Sequence, residues 1–198
     1  MLNGHSIMKI QDNIDIKEHI LKSAKEIFSD KGYKATTMKE IAQASEVSVG
    51  SLYLHFKDKK EIYMALIKEQ SIKFNSYVLE YQNHEPVEAL KGIFKCYLEY
   101  SIKNTKLINI NLTEGVFEAK EHFIKYFHDP QEKLINSIIS RGISLGVFKE
   151  IDVDKVGKLI ISLLTGLITF YIREEIVDLK AYGDTLLDLL LDGLRRSN

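Results

Sequence analysis

The sequence predicts an all-α protein, and three observations carry that prediction. Only two prolines occur in 198 residues, well below the usual share of about 5%. Leucine, lysine and glutamate, which favour helices, are abundant. Apolar residues recur every three or four positions, and no segment shows the alternation that is typical of a half-buried strand. We expect about nine helices, arranged as a small N-terminal three-helix domain and a larger C-terminal helical bundle.

The first four helices begin at residues whose side chains can cap a helix. The clearest case is Thr37 with Glu40, where each side chain can bond the other residue's backbone N–H. The predicted helices run from about Asp15 to Gly32, from Thr37 to Ser45, from Ser48 to Phe56 and from Asp58 to Tyr81. Residues 1–13 lack sustained periodicity and are expected to form a tail.

Breaks in the rest of the chain are few. They predict helices over 87–103, 105–118, 119–145 with an interruption at Asp129-Pro130, 153–174 and 177–196. We divide the chain at residue 74. Residues 14–74 form a first domain, with a helix-turn-helix over 37–56, and residues 75–198 form a second.

Composition narrows the class of protein. The single cysteine, Cys96, excludes an internal disulfide and four-cysteine zinc sites. The N-terminus has no apolar core of a secretory signal, and the longest uncharged apolar stretch, Leu159 to Ile172, is short for a membrane span. We therefore expect a soluble cytoplasmic protein without a membrane partner, and we interpret Leu159 to Ile172 as a buried helix.

The third predicted helix suits the major groove of double-stranded DNA, which is about 12 Å wide and admits a helix. Small residues occupy its first turn, where a backbone must approach DNA closely: Val49, Gly50 and Ser51. We expect Val49 and Ser51 to face the bases. The expected phosphate donors around them are Thr37, Lys39, Tyr53, His55, Lys57 and Lys59.

Simpler explanations stand beside these assignments. Lys57 and Lys59 could be solvated surface lysines, and His55 could be structural. Val49 and Ser51 lack the bidentate chemistry of Arg, Asn or Gln, so base recognition would depend on methyl contacts and DNA shape. The net charge is -1 overall, and residues 1–67 hold ten lysines and nine acidic residues, a balance of +1. Strong non-specific DNA binding is therefore not expected.

These residues form a recognisable pattern, which covers about residues 16 to 65. It comprises Ile20, Ala24, Ile27-Phe28, Gly32-Tyr33, Thr36-Thr37, Ile41-Ala42, Val47-Ser48, Gly50, Leu52-Tyr53, His55-Phe56 and Lys59. In this pattern the chain resembles the DNA-binding domain of TetR (tetracycline-repressor-like) bacterial transcription regulators. Two positions depart from the family pattern. Glu46 stands where glycine is usual, at a cost of roughly 1 kcal/mol if its backbone is left-handed, and Ser23 replaces a common alanine.

The resemblance implies a homodimer that binds a palindromic operator and is released by a small-molecule inducer, most often as a repressor. It also implies dimerisation through the last two helices, 153–174 and 177–196. The sequence supports this independently, because these helices carry more leucine and isoleucine than one small domain can bury.

The C-terminal region is rich in aromatic residues, and a cavity among them would suit a small apolar or aromatic ligand. Core packing is the simpler explanation for each aromatic residue. The candidate pocket residues are Phe94, Tyr97, Tyr100, Phe117, His122, Phe123, Tyr126, Arg141 and Phe170.

Other functions find little support in the sequence. Glu118 and His122 have the spacing of two metal ligands but no evident third, so we expect no metal and no cofactor. Cys96 lies in an apolar helical stretch, where a buried inert thiol is the simplest interpretation and a redox sensor the alternative. No catalytic motif is visible, so we do not expect an enzyme. An all-α small-molecule or lipid-binding module without operator binding remains the competing function.

Overall fold

The computed structural model describes residues 4–114, 121 and 124–195, with side chains from Asp15 onward. Within these ranges the chain forms nine α-helices, one short π-helical segment and no β-strand, which confirms the predicted fold class. The helices are α1 (Gly4–Lys31), α2 (Met38–Ala44), α3 (Val49–His55), α4 (Lys59–Leu79), α5 (Pro86–Lys103), α6 (Thr105–Thr113), α7 (Asp129–Ser144), α8 (Val153–Ile172) and α9 (Leu179–Leu194). The π-helical segment, Ile124–His128, runs directly into α7.

Several boundaries differ from the prediction. Helix α1 begins at Gly4 and not near Asp15, because no proline or glycine that would break a helix lies between Gly4 and Gly32. Helix α8 ends at Ile172, since the backbone of Glu174 turns left-handed with a φ of 60°. Helix α9 begins after Asp178, which caps it by accepting the N–H of Ala181.

The described residues divide into two compact units, one of residues 4–69 and 106–114 and the other of residues 70–105, 121 and 124–195. The first differs from the sequence-based domain because it includes α6. In it, α2 packs against α1 and α3 over a core that contains Ile20, Phe28, Ile41, Leu52 and Tyr63. The hydroxyl of Ser23 donates to the carbonyl of Ala44 at 3.2 Å, which gives that polar residue a partner inside the core.

The second unit is a helical bundle. Helix α7 packs against α5 and α8, and α9 packs against α5 and α8. Close approach requires glycine where α9 meets α5 and where Phe148, in the segment after α7, packs on α7. A Cβ on Gly142 would lie 2.1 Å from the ring of Phe148, and one on Gly183 would lie 2.4 Å from Leu98. The core of this unit is formed by fully buried apolar side chains such as Phe74, Phe94, Ile135, Ile138, Phe148 and Leu164.

Candidate DNA-binding site

The predicted helix-turn-helix is present and capped at both helices. The hydroxyl of Thr37 accepts the N–H of Glu40 at 3.3 Å, and the Glu40 carboxylate accepts the N–H of Thr37 at 2.9 Å. The hydroxyl of Ser48 accepts the N–H of Ser51 at 3.0 Å and so starts α3. Between the helices, Glu46 has a φ of 52°, the left-handed conformation that makes glycine preferable there.

Burial decides which side of α3 can meet DNA. Leu52 and the following Phe56 are buried against the core of the first unit. Val49, Tyr53 and Leu54 face outward, with 41%, 52% and 86% of their surfaces exposed. The outward side of α3 is therefore apolar and aromatic, and the helix contains no lysine or arginine.

The small residues of α3 lie where the sequence predicts. Gly50 is exposed, and a Cβ at this position would meet only the hydroxyl of Ser48, at 3.8 Å. Internal packing therefore does not require glycine here, and the space outside the helix is open. Ser51 and His55 are half-buried, each at the border between the exposed side and the core.

The start of α2 carries two predicted phosphate donors. Lys39 is exposed, as a phosphate-binding lysine must be. The hydroxyl of Thr37, although exposed, donates to the Glu40 carboxylate at 3.0 Å. Lys31 forms an ion pair with Glu40. This ion pair, with the bonds from Thr37, lowers the pKa of the Glu40 carboxyl to about 2.

The two lysines near the start of α4 differ sharply. Lys57 is exposed, and its backbone N–H donates to the carboxylate of Glu61 at 2.7 Å. The ammonium of Lys59 is directed inward. It donates to the carbonyls of Tyr33, Lys34 and Thr36 at 2.6, 3.2 and 2.5 Å and lies 4.5 Å from the centre of the Tyr33 ring.

This geometry corrects the assignment of Lys59. An ammonium has three N–H donors, and all three are used by the turn between α1 and α2, so none is left for a phosphate oxygen. Partial burial lowers the pKa of Lys59. We therefore regard Lys59 as a residue that positions the turn before the helix-turn-helix.

Sequence reasoning missed Leu54. Its signal was available, because Leu54 follows Tyr53 and lies four residues after Gly50, on the side of α3 away from Leu52. A leucine that is 86% exposed on this helix adds apolar surface one turn after Gly50.

The predicted pocket residues do not all come together. Phe94 and Tyr97 are buried in the second unit, whereas Tyr100 and Tyr126 are half-buried. Arg141 is not a pocket residue, because its guanidinium donates to the backbone carbonyls of Gln82, at 2.6 Å, and His84. Phe117, His122 and Phe123, together with Glu118, lie outside the described residues.

Phe170 is also misplaced by the prediction, since it is exposed on α8. It lines an open groove of about 530 Å³ between α8 and α9, with mostly apolar walls. Helix α8 is therefore buried on one face only, and not throughout as the sequence suggested. Other residues along the groove are Leu163, Gly166, Tyr182, Thr185 and Leu189.

Helix α8 also has the length and apolar composition of a helix that could cross a membrane, with 22% of its most apolar window buried. Among the described side chains, no group of three or more His, Cys, Asp or Glu could hold a metal ion. Cys96 is half-buried, and burial raises the pKa of its thiol, which lowers its reactivity.

Comparison with known proteins shows which family has this architecture. A model described as bacterial regulatory proteins of the tetR family matches residues 20–66, which include the whole helix-turn-helix. The transcriptional regulator QacR of Staphylococcus aureus (strain Mu50) is 27% identical over 192 residues, covering 92% of this chain and all of QacR. The TetC protein of transposon Tn10 from Escherichia coli is 31% identical over 142 residues, covering 69% of this chain and 70% of TetC.

A solved structure extends the comparison to the fold. FadR from Bacillus subtilis, in complex with stearoyl-CoA, superposes with a TM-score of 0.78 at 23% identity, covering 89% of this chain and 98% of FadR. At this identity the likeness concerns the fold. The family match, the relatives and the helix-turn-helix agree, and the chain belongs to the TetR family of bacterial transcriptional regulators.

Proposed function

We propose that this protein is a repressor that binds a palindromic operator as a cytoplasmic homodimer and leaves it when a small molecule binds the second unit. The observation that carries the proposal is the outward side of α3. This side is exposed, apolar and aromatic. It belongs to a helix-turn-helix whose two helices are both N-capped and which packs on a buried core. Such a surface has no internal role in the fold and suits the major groove.

In this proposal Val49, Gly50 and Ser51 approach the base edges, and Tyr53, His55, Lys39 and Lys57 around them hold the phosphate backbone of the DNA. The predicted donor Thr37 is left out, because its one O–H donates to the Glu40 carboxylate. Apolar contact with thymine methyl groups is the base chemistry that Val49 offers. Lys39 and Lys57 are exposed and can reach phosphate oxygens.

The groove between α8 and α9 supports the dimer. Leu159, Leu163, Phe170 and Leu189 are exposed along these two helices, an apolar surface that a soluble monomer would not leave open to water. A second copy would cover it by two-fold packing, and two half-sites in a palindrome require two recognition helices. We favour this occupant over a membrane because α9 also exposes the charged residues Asp184 and Asp188, in the sequence around Leu189.

The dimer has a direct test. Light scattering should give twice the chain mass of 22.8 kDa. Leu163→Glu should shift the protein to a monomer, whereas Leu145→Glu, at an exposed leucine after α7, should leave the dimer intact. A monomeric wild-type protein at micromolar concentration would contradict the proposal.

Operator binding can be tested without knowing the operator. Selection from a random double-stranded library should yield a palindromic sequence, and fluorescence anisotropy then measures affinity for it. Tyr53→Ala should weaken binding about tenfold or more, since the substitution removes both an aromatic surface and a phosphate donor. Tyr77→Ala, at a comparably exposed tyrosine on α4, is the control and should bind normally.

The competing function is an all-α small-molecule or lipid-binding module that does not bind DNA. The same selection separates the two, because such a module would enrich no sequence. It would also show no difference between Tyr53→Ala and Tyr77→Ala in any DNA assay. The stearoyl-CoA bound to the FadR neighbour supports a ligand site in either case.

A further inference from the structure

The hydroxyl of Tyr97 is an unusual feature of the second unit. Tyr97 is only 3% exposed, and its hydroxyl is buried without a hydrogen-bond partner anywhere in the described part of the chain. Burial raises the pKa of Tyr97 far above its ordinary value, so the group remains an uncharged O–H donor. Buried hydroxyls are normally hydrogen-bonded, and an unpaired one calls for an explanation.

Gln131 supplies a matching acceptor. Its side chain is 1% exposed, and its Nε2 donates to Oδ1 of Asn75 at 3.1 Å. Asn75 in turn donates from Nδ2 to the carbonyl of Tyr126 at 3.0 Å. Because the Tyr126 carbonyl can only accept, these two hydrogen bonds fix the orientation of the side-chain amides of Asn75 and Gln131. Oε1 of Gln131 is therefore left as an acceptor, and it has no partner among the described residues.

The donor, Tyr97, belongs to an aromatic cluster, and the Gln131 side chain that carries the acceptor is hydrogen-bonded to Asn75, the neighbour in sequence of one ring of that cluster. The rings of Phe74 and Phe127 stack with their centres 4.8 Å apart, and Tyr97 lies edge-on to both, at 5.0 and 6.2 Å. Asn75, which holds the Gln131 amide, directly follows Phe74 in α4. Polar groups and aromatic faces in this combination are typical of a small-molecule site.

Charge restricts what can bind there. The buried polar side chains described in this unit are Gln70, Ser71, Ser101 and Gln131, and none of them is ionisable. Partial burial lowers the pKa of His128, which favours its neutral form. A charged ligand would lose its hydration on binding, and no buried carboxylate or ammonium among these side chains would compensate for that loss. An uncharged ligand is therefore favoured.

A third buried unpaired atom, Oδ1 of Asn136, differs from these two. It fills the space that a Cβ on Gly157 would need, at 1.8 Å, and its own Nδ2 bonds Asp154 near the surface. This atom belongs to a helix contact and leaves no room for a ligand.

We propose that the inducer is an uncharged aromatic molecule that accepts a hydrogen bond from the Tyr97 hydroxyl and donates one to Oε1 of Gln131. This inference rests on the proposed function in one respect only, namely that binding at this site releases the operator. The site itself can be tested on the protein alone.

The first test needs no ligand. If the Tyr97 hydroxyl is held unpaired for a ligand, Tyr97→Phe should raise the melting temperature of the free protein by at least about 2–4 °C. Tyr100→Phe, at the half-buried tyrosine of the same cluster, is the control and should give no such rise. A lower melting temperature for Tyr97→Phe would mean that the hydroxyl is satisfied in the free protein and would overturn the proposal.

The second test uses four compounds with one aromatic body: 4-butylbenzamide, 4-butylbenzoate, 4-butylbenzylamine and butylbenzene. Calorimetry on the full chain should show binding of the amide, with at least about tenfold weaker binding of the anion and the cation. Tyr97→Phe and Gln131→Leu should each weaken amide binding by about tenfold, because each removes one hydrogen bond to the ligand. They should leave the affinity for butylbenzene unchanged.

The outcomes separate the site from the regulator. No binding of the amide, equal binding of the charged compounds, or amide binding that Tyr97→Phe leaves unchanged would each overturn the site. Amide binding that depends on Tyr97 while operator affinity stays constant would support the site and refute its role in induction. A protein that binds the amide but selects no operator would refute the proposed function and leave the site standing.

Discussion

Replacing Lys59 by methionine tests whether this lysine positions the fold or binds DNA. Methionine keeps an apolar stem of similar length and removes only the ammonium. Lys59→Met therefore removes the three hydrogen bonds that the ammonium donates to the carbonyls of Tyr33, Lys34 and Thr36. The variant also lacks the cation that lies over the Tyr33 ring.

The expected cost follows from these bonds and from the exposure of the group. A hydrogen bond that involves a charged group contributes about 1.5–3 kcal/mol when buried. The three bonds share one ammonium that is only partly buried, and water can replace part of their contribution. We therefore expect the free energy of unfolding to fall by about 1–3 kcal/mol in total, well below three times the value for one bond.

The assay compares Lys59→Met with Lys57→Met. Urea unfolding followed by circular dichroism measures stability, and operator affinity at several salt concentrations measures how many phosphates the protein neutralises. Lys57→Met should leave stability within about 0.5 kcal/mol and should reduce the salt slope by about 0.9 for each phosphate that Lys57 neutralises in the wild-type complex. Lys59→Met should be less stable and keep the wild-type slope. Unchanged stability together with a reduced slope in Lys59→Met would refute the reasoning.

Three further predictions concern the same domain. Glu46→Gly should be more stable to urea than Glu46→Gln by up to about 1 kcal/mol, because both remove the charge but only glycine relieves the left-handed backbone; a less stable Glu46→Gly would contradict this. Leu54→Ala should not change stability. For wild-type protein we expect a roughly fourfold loss of affinity when an operator thymine whose methyl group contacts Leu54 is replaced by deoxyuridine, from about 0.8 kcal/mol per buried methyl-sized group, and Leu54→Ala should abolish this loss at that thymine. The folded-state pKa of Glu40 is depressed, so the unfolded state binds more protons between about pH 4.5 and 2, and stability should fall as the pH drops through that window. Glu40→Gln should flatten this part of the stability profile in acid titrations.

The helix-turn-helix could be predicted from the sequence because its determinants are local. The capping pair Thr37 and Glu40 is three residues apart, and the capping of α3 by Ser48 likewise depends on a neighbour three residues on. The left-handed turn at Glu46 is predictable for the same reason, since it follows from a short connection between two helices. Near-neighbour chemistry of this kind follows directly from the order of residues.

Side chains whose partners are distant in sequence could not be assigned. Lys59 bonds carbonyls 23 to 26 residues away, and Arg141 bonds carbonyls 57 and 59 residues away. From the sequence, Lys59 is expected to be available for a phosphate and Arg141 for a ligand. The position of Phe170 could not be predicted either, because an apolar residue on α8 can face either the core or the groove. Periodicity alone does not identify the face that a second copy would cover.

The removal of Lys59 from the set of phosphate donors changes how the first unit would recognise DNA. Residues 1–67 have a charge balance of only +1, and Glu40 already pairs with Lys31. With the Lys59 ammonium committed to the fold, Lys39 and Lys57 are the exposed lysines that remain among the predicted phosphate donors. Electrostatic attraction would then contribute little to affinity, and the exposed apolar side of α3 would have to supply the discrimination between sequences.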